Sequence, residues 1–489
     1  MSDFATVPTT HGVLKGRTEN SITSFLGVPY AQPPTGPLRF KAPRAVHTWD
    51  GTRDALQWAN KAVQPLKPKT TETVQGDEDC LYLNIWTPDT KGHYPIVFFA
   101  HGGAFVMGSA NDYDGTSLAS SGLVVVTVGY RIGAFGYLYL EELAPGVTDS
   151  NLALRDLTMA LEWVADNAHS FGGDPDNIIL AGRSSGAMTV GALLAAPRAS
   201  GLFSGAWLMS GAARQVRTPE AATRSAEMFL DAVGLDAGNA GDLLGLSSSD
   251  IARGTGFLIA SADHDEAFDA EVMLPVVGDD FLPRHPLESI SRGACQGKTL
   301  VVSWTAKDMA FFQQRDPDRG VLNKELYAKR LFGQDWWMRM EDIYQRTGDD
   351  PYIDLLTDFH FALPAIRLAG AAYKTAKSVR ICRFDETPIT PPWPDLGPVH
   401  TCDAFYLFTP LTPPVAPTAF GVGTGMLAAD QELALRIRKI FLAMGTVTDF
   451  DEIWEPYAGQ NRALSLSASW DLTTAIEPER YEAWGDMTW

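Results

Sequence analysis

Ser184 stands at the centre of Gly182-Arg183-Ser184-Ser185-Gly186, a G-x-S-x-G run. The apolar stretch Asn177–Ala181 precedes it, and a helix-forming stretch from Ala187 to Ala195 follows. A serine on a sharp strand-to-helix turn needs small neighbours because the backbone doubles back tightly there. The turn exposes the hydroxyl, and the helix N-terminus adds positive potential. Attack of such a hydroxyl on a carbonyl makes a tetrahedral intermediate with a charged oxygen, for which backbone N–H donors must already be in place. His101-Gly102-Gly103-Ala104-Phe105 follows another apolar stretch, Ile96–Ala100, and its glycines let the backbone turn N–H groups inward. Together the two motifs predict acyl transfer through a serine nucleophile.

Both motifs need a buried sheet beneath them. Ile96–Ala100, Leu123–Val128 and Asn177–Ala181 are continuous apolar runs, as expected of parallel strands covered on both faces. Leu154, Leu157, Leu161 and Val164 recur at helical spacing between the second and third runs. This strand–helix–strand order predicts a doubly wound α/β sheet. Thr299–Trp304 and Ser378–Arg383 read as further strands, with a helical subdomain over about 311–375 between them. Two proline-rich stretches read as loops, one with Pro391, Pro392, Pro394 and Pro398, the other with Pro410, Pro413, Pro414 and Pro417. Leu433, Ile437, Phe441 and Met444 form a late helical stripe, stopped by Gly445.

Composition narrows the function. The chain of 489 residues carries 39 Lys and Arg against 59 Asp and Glu, a formal net charge of −20. That balance opposes nucleic-acid binding, which needs a basic face. No run of ~18 uncharged apolar residues suggests a membrane span. The start, MSDFATVPTT, lacks the basic and apolar regions of a secretory signal, so a cytoplasmic location is expected. Cys80, Cys295, Cys382 and Cys402 are scattered with no CxxC pair, which argues for free thiols and against a thiolate metal site.

The chain resembles the type-B carboxylesterases, the family of the cholinesterases and the bacterial p-nitrobenzyl esterases. The likeness spans nearly the whole sequence. It rests on Phe25-Leu26-Gly27-Val28-Pro29-Tyr30-Ala31, Pro33-Pro34-Thr35-Gly36-Pro37-Leu38-Arg39-Phe40 and Glu78-Asp79-Cys80-Leu81-Tyr82-Leu83-Asn84-Ile85. Tyr130-Arg131-Ile132-Gly133, Trp163-Val164 and Phe171-Gly172-Gly173-Asp174-Pro175 continue it in the family's order. The resemblance implies a single α/β-hydrolase domain over residues 1–489, with a large, mostly parallel sheet and helices on both faces. It also implies a Ser–acid–His triad, a small-molecule ester as substrate, and neither cofactor nor metal. Residue by residue it makes Ser184 the nucleophile and His400 the base. The oxyanion donors become Gly103, Ala104 and Ser185. Asp308 takes the place of the family's usual Glu after the Thr299–Trp304 strand. Asp403 and Ser210 fall at supporting positions. A monomer or homodimer is expected.

Three departures stand out. Arg183 occupies a position where the family usually has Glu, and it either presents a cation to a substrate carboxylate or pairs with a nearby acid. Met309 replaces the usual Gly after the acid. No cysteine precedes Cys80, so the bridge found there in some relatives has no partner. The same residues would also serve a lactonase, cyclase or acyltransferase, which differ only in what attacks the acyl-enzyme. A catalytically silent binding module is the reading from another class. Ser184, His400 and Asp308 occurring together oppose it.

Overall fold

The apolar runs are apolar at every position because each strand feeds two cores. In Tyr94–Ala100, Ile96, Phe98 and Ala100 enter one core while Val97 and Phe99 enter the other. Ile178 and Leu180 alternate in the same way with Ile179 and Ala181, as do Leu300 and Val302 with Val301. A strand buried on both faces has no solvent side on which a polar residue could recur with period two.

The computed structural model describes residues 3–66, 73–262, 272–315, 329, 333–390, 397–409, 426–445 and 454–485. The strands in chain order are β1 (Asp3–Thr9), β2 (Gly12–Glu19), β3 (Ile22–Pro29), β4 (Thr52–Asp54), β5 (Gln64–Pro65), β6 (Val74–Gln75), β7 (Tyr82–Thr87) and β8 (Tyr94–Ala100). They continue as β9 (Val124–Val128), β10 (Gly173–Arg183), β11 (Gly205–Met209), β12 (Thr299–Thr305), β13 (Ser378–Phe384), β14 (Arg462–Leu466) and β15 (Leu472–Thr474). Among the described residues, 13 strands form one sheet in the order β1-β2-β3-β7-β9-β8-β10-β11-β12-β13-β14-β15, with β4 beside β2. From β9 to β14 every neighbour is parallel. Antiparallel strands close the two edges, β1, β2, β3 and β7 at one and β15 at the other. The mostly parallel sheet expected from the sequence is therefore present.

Helices cover both faces. Leu152–Asn167 carries Leu154, Leu157, Leu161 and Val164 into the first core, as their spacing predicts. Ala428–Gly445 carries Leu433, Ile437, Phe441 and Met444 into the second, where Phe441 meets Trp207 of β11 at 4.8 Å. Arg438, buried on the same helix, donates to the carbonyls of Tyr406 (3.1 Å) and Thr409 (2.9 Å). These carbonyls close the helix Cys402–Phe408, so a cation sits at its negative end. Between β12 and β13 run the helices Gln334–Thr347, Pro351–Thr357 and Leu363–Ala372, with a π-helical turn at Asp358–Ala362. Of the proline-rich stretches, Pro391, Pro392, Pro394, Pro410, Pro413, Pro414 and Pro417 lie outside the described residues.

Candidate active site

β10 runs directly into the turn at Ser184, and the helix Ser185–Leu193 starts at the next residue. Ser184 adopts φ 56° and ψ −132°. A non-glycine residue held there stores roughly 1–3 kcal/mol of backbone strain. The surroundings impose this conformation. The Ser184 N–H donates to Met209 O at 2.9 Å, and its carbonyl accepts the Met188 N–H at 3.0 Å, opening the helix. Gly182 and Gly186 are required by close approach. A Cβ on Gly182 would lie 2.6 Å from the Gly186 carbonyl, and one on Gly186 would overlap the carbonyl oxygens of Ala100 and His101. The spacing read from sequence is thus a steric demand of two strand ends meeting a helix.

The turn after β8 faces this elbow. Gly103 (φ 137°), Ala104 (φ 54°) and Phe105 (φ 66°) form a run of positive φ, pinned by Val106 and Met107 N–H groups on Gly103 O at 3.1 and 3.0 Å. Among the described residues, no protein acceptor engages the Gly103 or Ala104 N–H. Ser185, as the first helical residue, also has an N–H without an intrahelical partner. His101 anchors the turn rather than reacting. Its ring stacks on Tyr130 at 4.4 Å, Nδ1 lies 3.0 Å from Gly102 O, and Tyr130 Oη donates to its carbonyl at 2.7 Å. Burial pulls its imidazole down to about 4, so it is neutral near pH 7.

His400 and Asp308 meet through a ladder that continues past the strand ends. The Ser210 N–H donates to Ser303 O (2.8 Å), Ala306 N–H to Phe384 O (3.0 Å) and Lys307 N–H to Pro398 O (3.1 Å). Lys307 and Val399 thereby form a parallel bridge one residue short of Asp308 and His400. The His400 Nδ1–Asp308 Oδ1 distance is 2.6 Å, with both side chains buried. Asp308 Oδ2 accepts from Ser210 Oγ at 3.1 Å and from the Thr305 N–H at 2.9 Å. Ser210 thus supports the candidate acid, as expected. Phe311, Phe312 and Phe361 wall the imidazole with ring centroids at 5.9, 5.0 and 5.1 Å. Met309 turns its side chain against the main core and donates its N–H to Thr357 Oγ1 at 3.2 Å.

Arg183 is buried, and its Nε and Nη1 have no hydrogen-bond partner among the described residues. Burial alone would lower its basicity, but Tyr113, Asp403 and Asp308 outweigh it and hold the guanidinium as a cation. Asp403 makes no hydrogen bond to His400. Among the described residues its Oδ1 accepts the neighbouring Ala404 N–H alone, at 2.7 Å, and burial raises its carboxyl pKa. Tyr113 and Phe361 had no local signal in the sequence, since neither is near a motif. Phe311 and Phe312 could have been found from their place just after the candidate acid. The four cysteines are free and buried, and among the described residues no cluster of His, Cys, Asp and Glu could hold a metal ion. No described helix is long and apolar enough to cross a membrane.

The sheet order, with its strand–turn–helix at the centre, defines an α/β-hydrolase. Residues 3–484 match the carboxylesterase family, and the chain belongs to it. The para-nitrobenzyl esterase of Bacillus subtilis (strain 168) is 36% identical over 397 residues, covering 79% of this chain and 80% of that one. The phenmedipham hydrolase of Pseudarthrobacter oxydans is 32% identical over 429 residues, covering 82% of each. A solved thermophilic p-nitrobenzyl esterase superposes with a TM-score of 0.84 at 30% identity, covering 98% of this chain and 99% of that one.

Proposed function

We propose that this carboxylesterase-family serine hydrolase cleaves carboxylic esters through an acyl-enzyme on Ser184. The buried His400–Asp308 pair, set on the strand ends beside the elbow, carries the assignment. A carboxylate accepts, so His400 Nδ1 bears the proton and Nε2 keeps the lone pair. Ser184 Oγ attacks the ester carbonyl while His400 Nε2 takes its proton. The N–H groups of Gly103, Ala104 and Ser185 hold the oxyanion. His400 then protonates the departing alkoxide, and the acyl-enzyme remains. Water adds next with His400 again as base; as the Ser184–acyl bond breaks, His400 returns the proton to Ser184 Oγ and the acid leaves. Asp308 fixes the tautomer and stabilises the imidazolium without taking the proton. Relatives named a para-nitrobenzyl esterase and a phenmedipham hydrolase make p-nitrobenzyl esters the first substrates to assay. The free cysteines fit a reducing, cytoplasmic compartment. Ser184→Ala should lower kcat on a p-nitrophenyl ester by roughly 10⁴-fold or more with an unchanged melting temperature. Full activity in a variant cleared of host esterases would refute the mechanism.

A further inference from the structure

The turn after β8 holds two non-glycine residues, Ala104 and Phe105, at positive φ, and such backbone persists only where its neighbours impose it. Its near end is fixed by β8. Its far end is Gly108, at φ 105°. Gly108 packs so closely behind the turn that a Cβ on it would overlap Gly102 O and lie 2.7 Å from His101 Nδ1. Among the described residues, neither backbone group of Gly108 bonds another backbone group; one side chain takes both. The Gly108 N–H donates to Gln64 Oε1 at 2.9 Å, and Gln64 Nε2 donates to Gly108 O at 2.9 Å. The other Nε2 hydrogen goes to Ala62 O, also at 2.9 Å. Reversing the amide would set its oxygen against two carbonyls and its NH2 against an N–H, so these contacts fix its orientation. Gln64 is buried and itself anchored. It pairs with Gln75 across β5 and β6, Ala62 bridges Asp77, and Asn111 Nδ2 ties the same segment at Ala59 O, 2.7 Å away.

We propose that Gln64 positions the oxyanion turn: by gripping both backbone groups of Gly108 it holds Gly102 in place, and with it the N–H groups of Gly103 and Ala104 where the oxyanion forms. The assignment rests on the esterase mechanism above. Gln64 acts through Gly108 and is a positioning residue, not a catalytic one. Oxyanion donors stabilise the intermediate in full only when they are set before the charge develops, since a donor that must swing into place loses that advantage. Releasing Gly108 therefore weakens the transition state more than the bound ester. The turn would loosen rather than collapse, because Val106 and Met107 still donate to Gly103 O and the Gly133 N–H still holds Phe105 O at 2.7 Å. It would also leave the Gly108 N–H and carbonyl without their present partner, which favours a shifted turn.

Gln64→Met keeps the length of the side chain and removes its hydrogen-bonding end. On a p-nitrophenyl ester, kcat of the folded variant should fall roughly 10- to 100-fold while KM stays within about threefold. An aryl trifluoromethyl ketone reports on the turn directly, because Ser184 Oγ adds to its carbonyl and leaves a charged oxygen among the oxyanion donors. Its inhibition constant should rise by about the factor by which kcat/KM falls. Wild-type kcat in Gln64→Met overturns the proposal, as does a loss confined to KM or an unchanged ketone affinity beside a lowered kcat. Gln64→Glu supplies the conservative rescue. As a neutral acid it accepts the Gly108 N–H and donates its O–H to a carbonyl; once ionised it donates nothing. Burial raises a carboxyl pKa, so the neutral form prevails on the acid side. Measured against wild type at the same pH, its kcat should lie within about threefold at pH 5.5 and fall behind by pH 9. A larger shortfall at pH 5.5, or rates equal to wild type at both ends, overturns the proposal, and this criterion stands even if Gln64→Met fails to fold. Wild-type protein inert to every ester would overturn the esterase mechanism and the proposal with it, whereas an active wild type with an unaffected Gln64→Met overturns the proposal alone.

Discussion

The proposed acid Asp308 reaches His400 Nδ1 at 2.6 Å, and the backbone brings the two together. The Lys307–Val399 bridge draws the two loops together, and the Thr305 N–H and Ser210 hydroxyl fix the second oxygen. Asp308→Asn should therefore cost roughly 10⁴-fold in kcat, because an amide can hold the wrong tautomer. Asp403→Asn should cost far less, since that carboxylate makes no hydrogen bond to the imidazole. A kinetic comparison in which Asp403→Asn is the more damaging of the two would reassign the acid. Residues of the site differed in how well the sequence revealed them. Ser184 and the Gly102-Gly103 turn were legible because steric demand is local and leaves glycines at fixed spacing. Asp308 and His400 are 92 residues apart and came from family likeness, as no composition or periodicity marks a contact of that range. Tyr113 and Phe361 left no trace at all, because any aromatic fits the local pattern there.

A chain of ion pairs at the level of whole elements ties the helix Pro478–Trp484 to Lys307, which immediately precedes the helix Asp308–Arg315. Lys307 Nζ meets Asp354 Oδ1 at 2.8 Å, and Arg480 Nη2 meets Asp354 Oδ2 at 3.1 Å. Arg480 Nη1 lies 3.9 Å from Asp358 Oδ2, which also accepts from Tyr344 Oη at 2.6 Å. Trp484 Nε1 donates to the same hydroxyl at 2.7 Å. Asp358 opens the π-helical turn that carries Phe361 onto His400, so the network braces both sides of the imidazole. Burial pushes the Asp358 carboxyl up to about 7, with Arg480 opposing the rise. A folded pKa above the unfolded 3.8 favours the fold at low pH, and this contribution is lost as pH rises toward 7. Arg480→Gln removes the cation that tolerates the ionised form, so its loss of melting temperature should be larger at pH 8 than at pH 5. Equal losses at both pH values would detach Arg480 from Asp358. Central strands such as β8, β10 and β12 were legible as apolar runs. Of the strands toward the sheet's ends, the half-exposed β1, β2 and β15 were not, because such strands mix polar with apolar residues and resemble loops.

Across the molecule, two histidines, the buried His101 and the partly exposed His360, are held neutral by their surroundings near pH 7. Burial lowers His360 to about 3, with Arg214 adding to the effect, and lowers His101 to about 4. For both, the folded pKa lies below the unfolded 6.5, so the unfolded chain binds more protons and stability falls as pH drops below about 6.5. Each contributes up to about 1.4 kcal/mol per pH unit across that window. His360→Gln should therefore flatten the decline of melting temperature between pH 6.5 and pH 4, and an unchanged slope would show that His360 is not the group resisting protonation. The sheet, the elbow and the acid–base pair all serve one claim, that a single serine forms the covalent intermediate. It is tested most directly by reacting the protein with a p-nitrophenyl alkylphosphonate and locating the adduct by peptide mass spectrometry. The prediction is one phosphonyl group per chain, on the peptide containing Ser184, with activity lost in proportion to labelling. Labelling at another residue, or complete loss of activity with Ser184 unmodified, would contradict it.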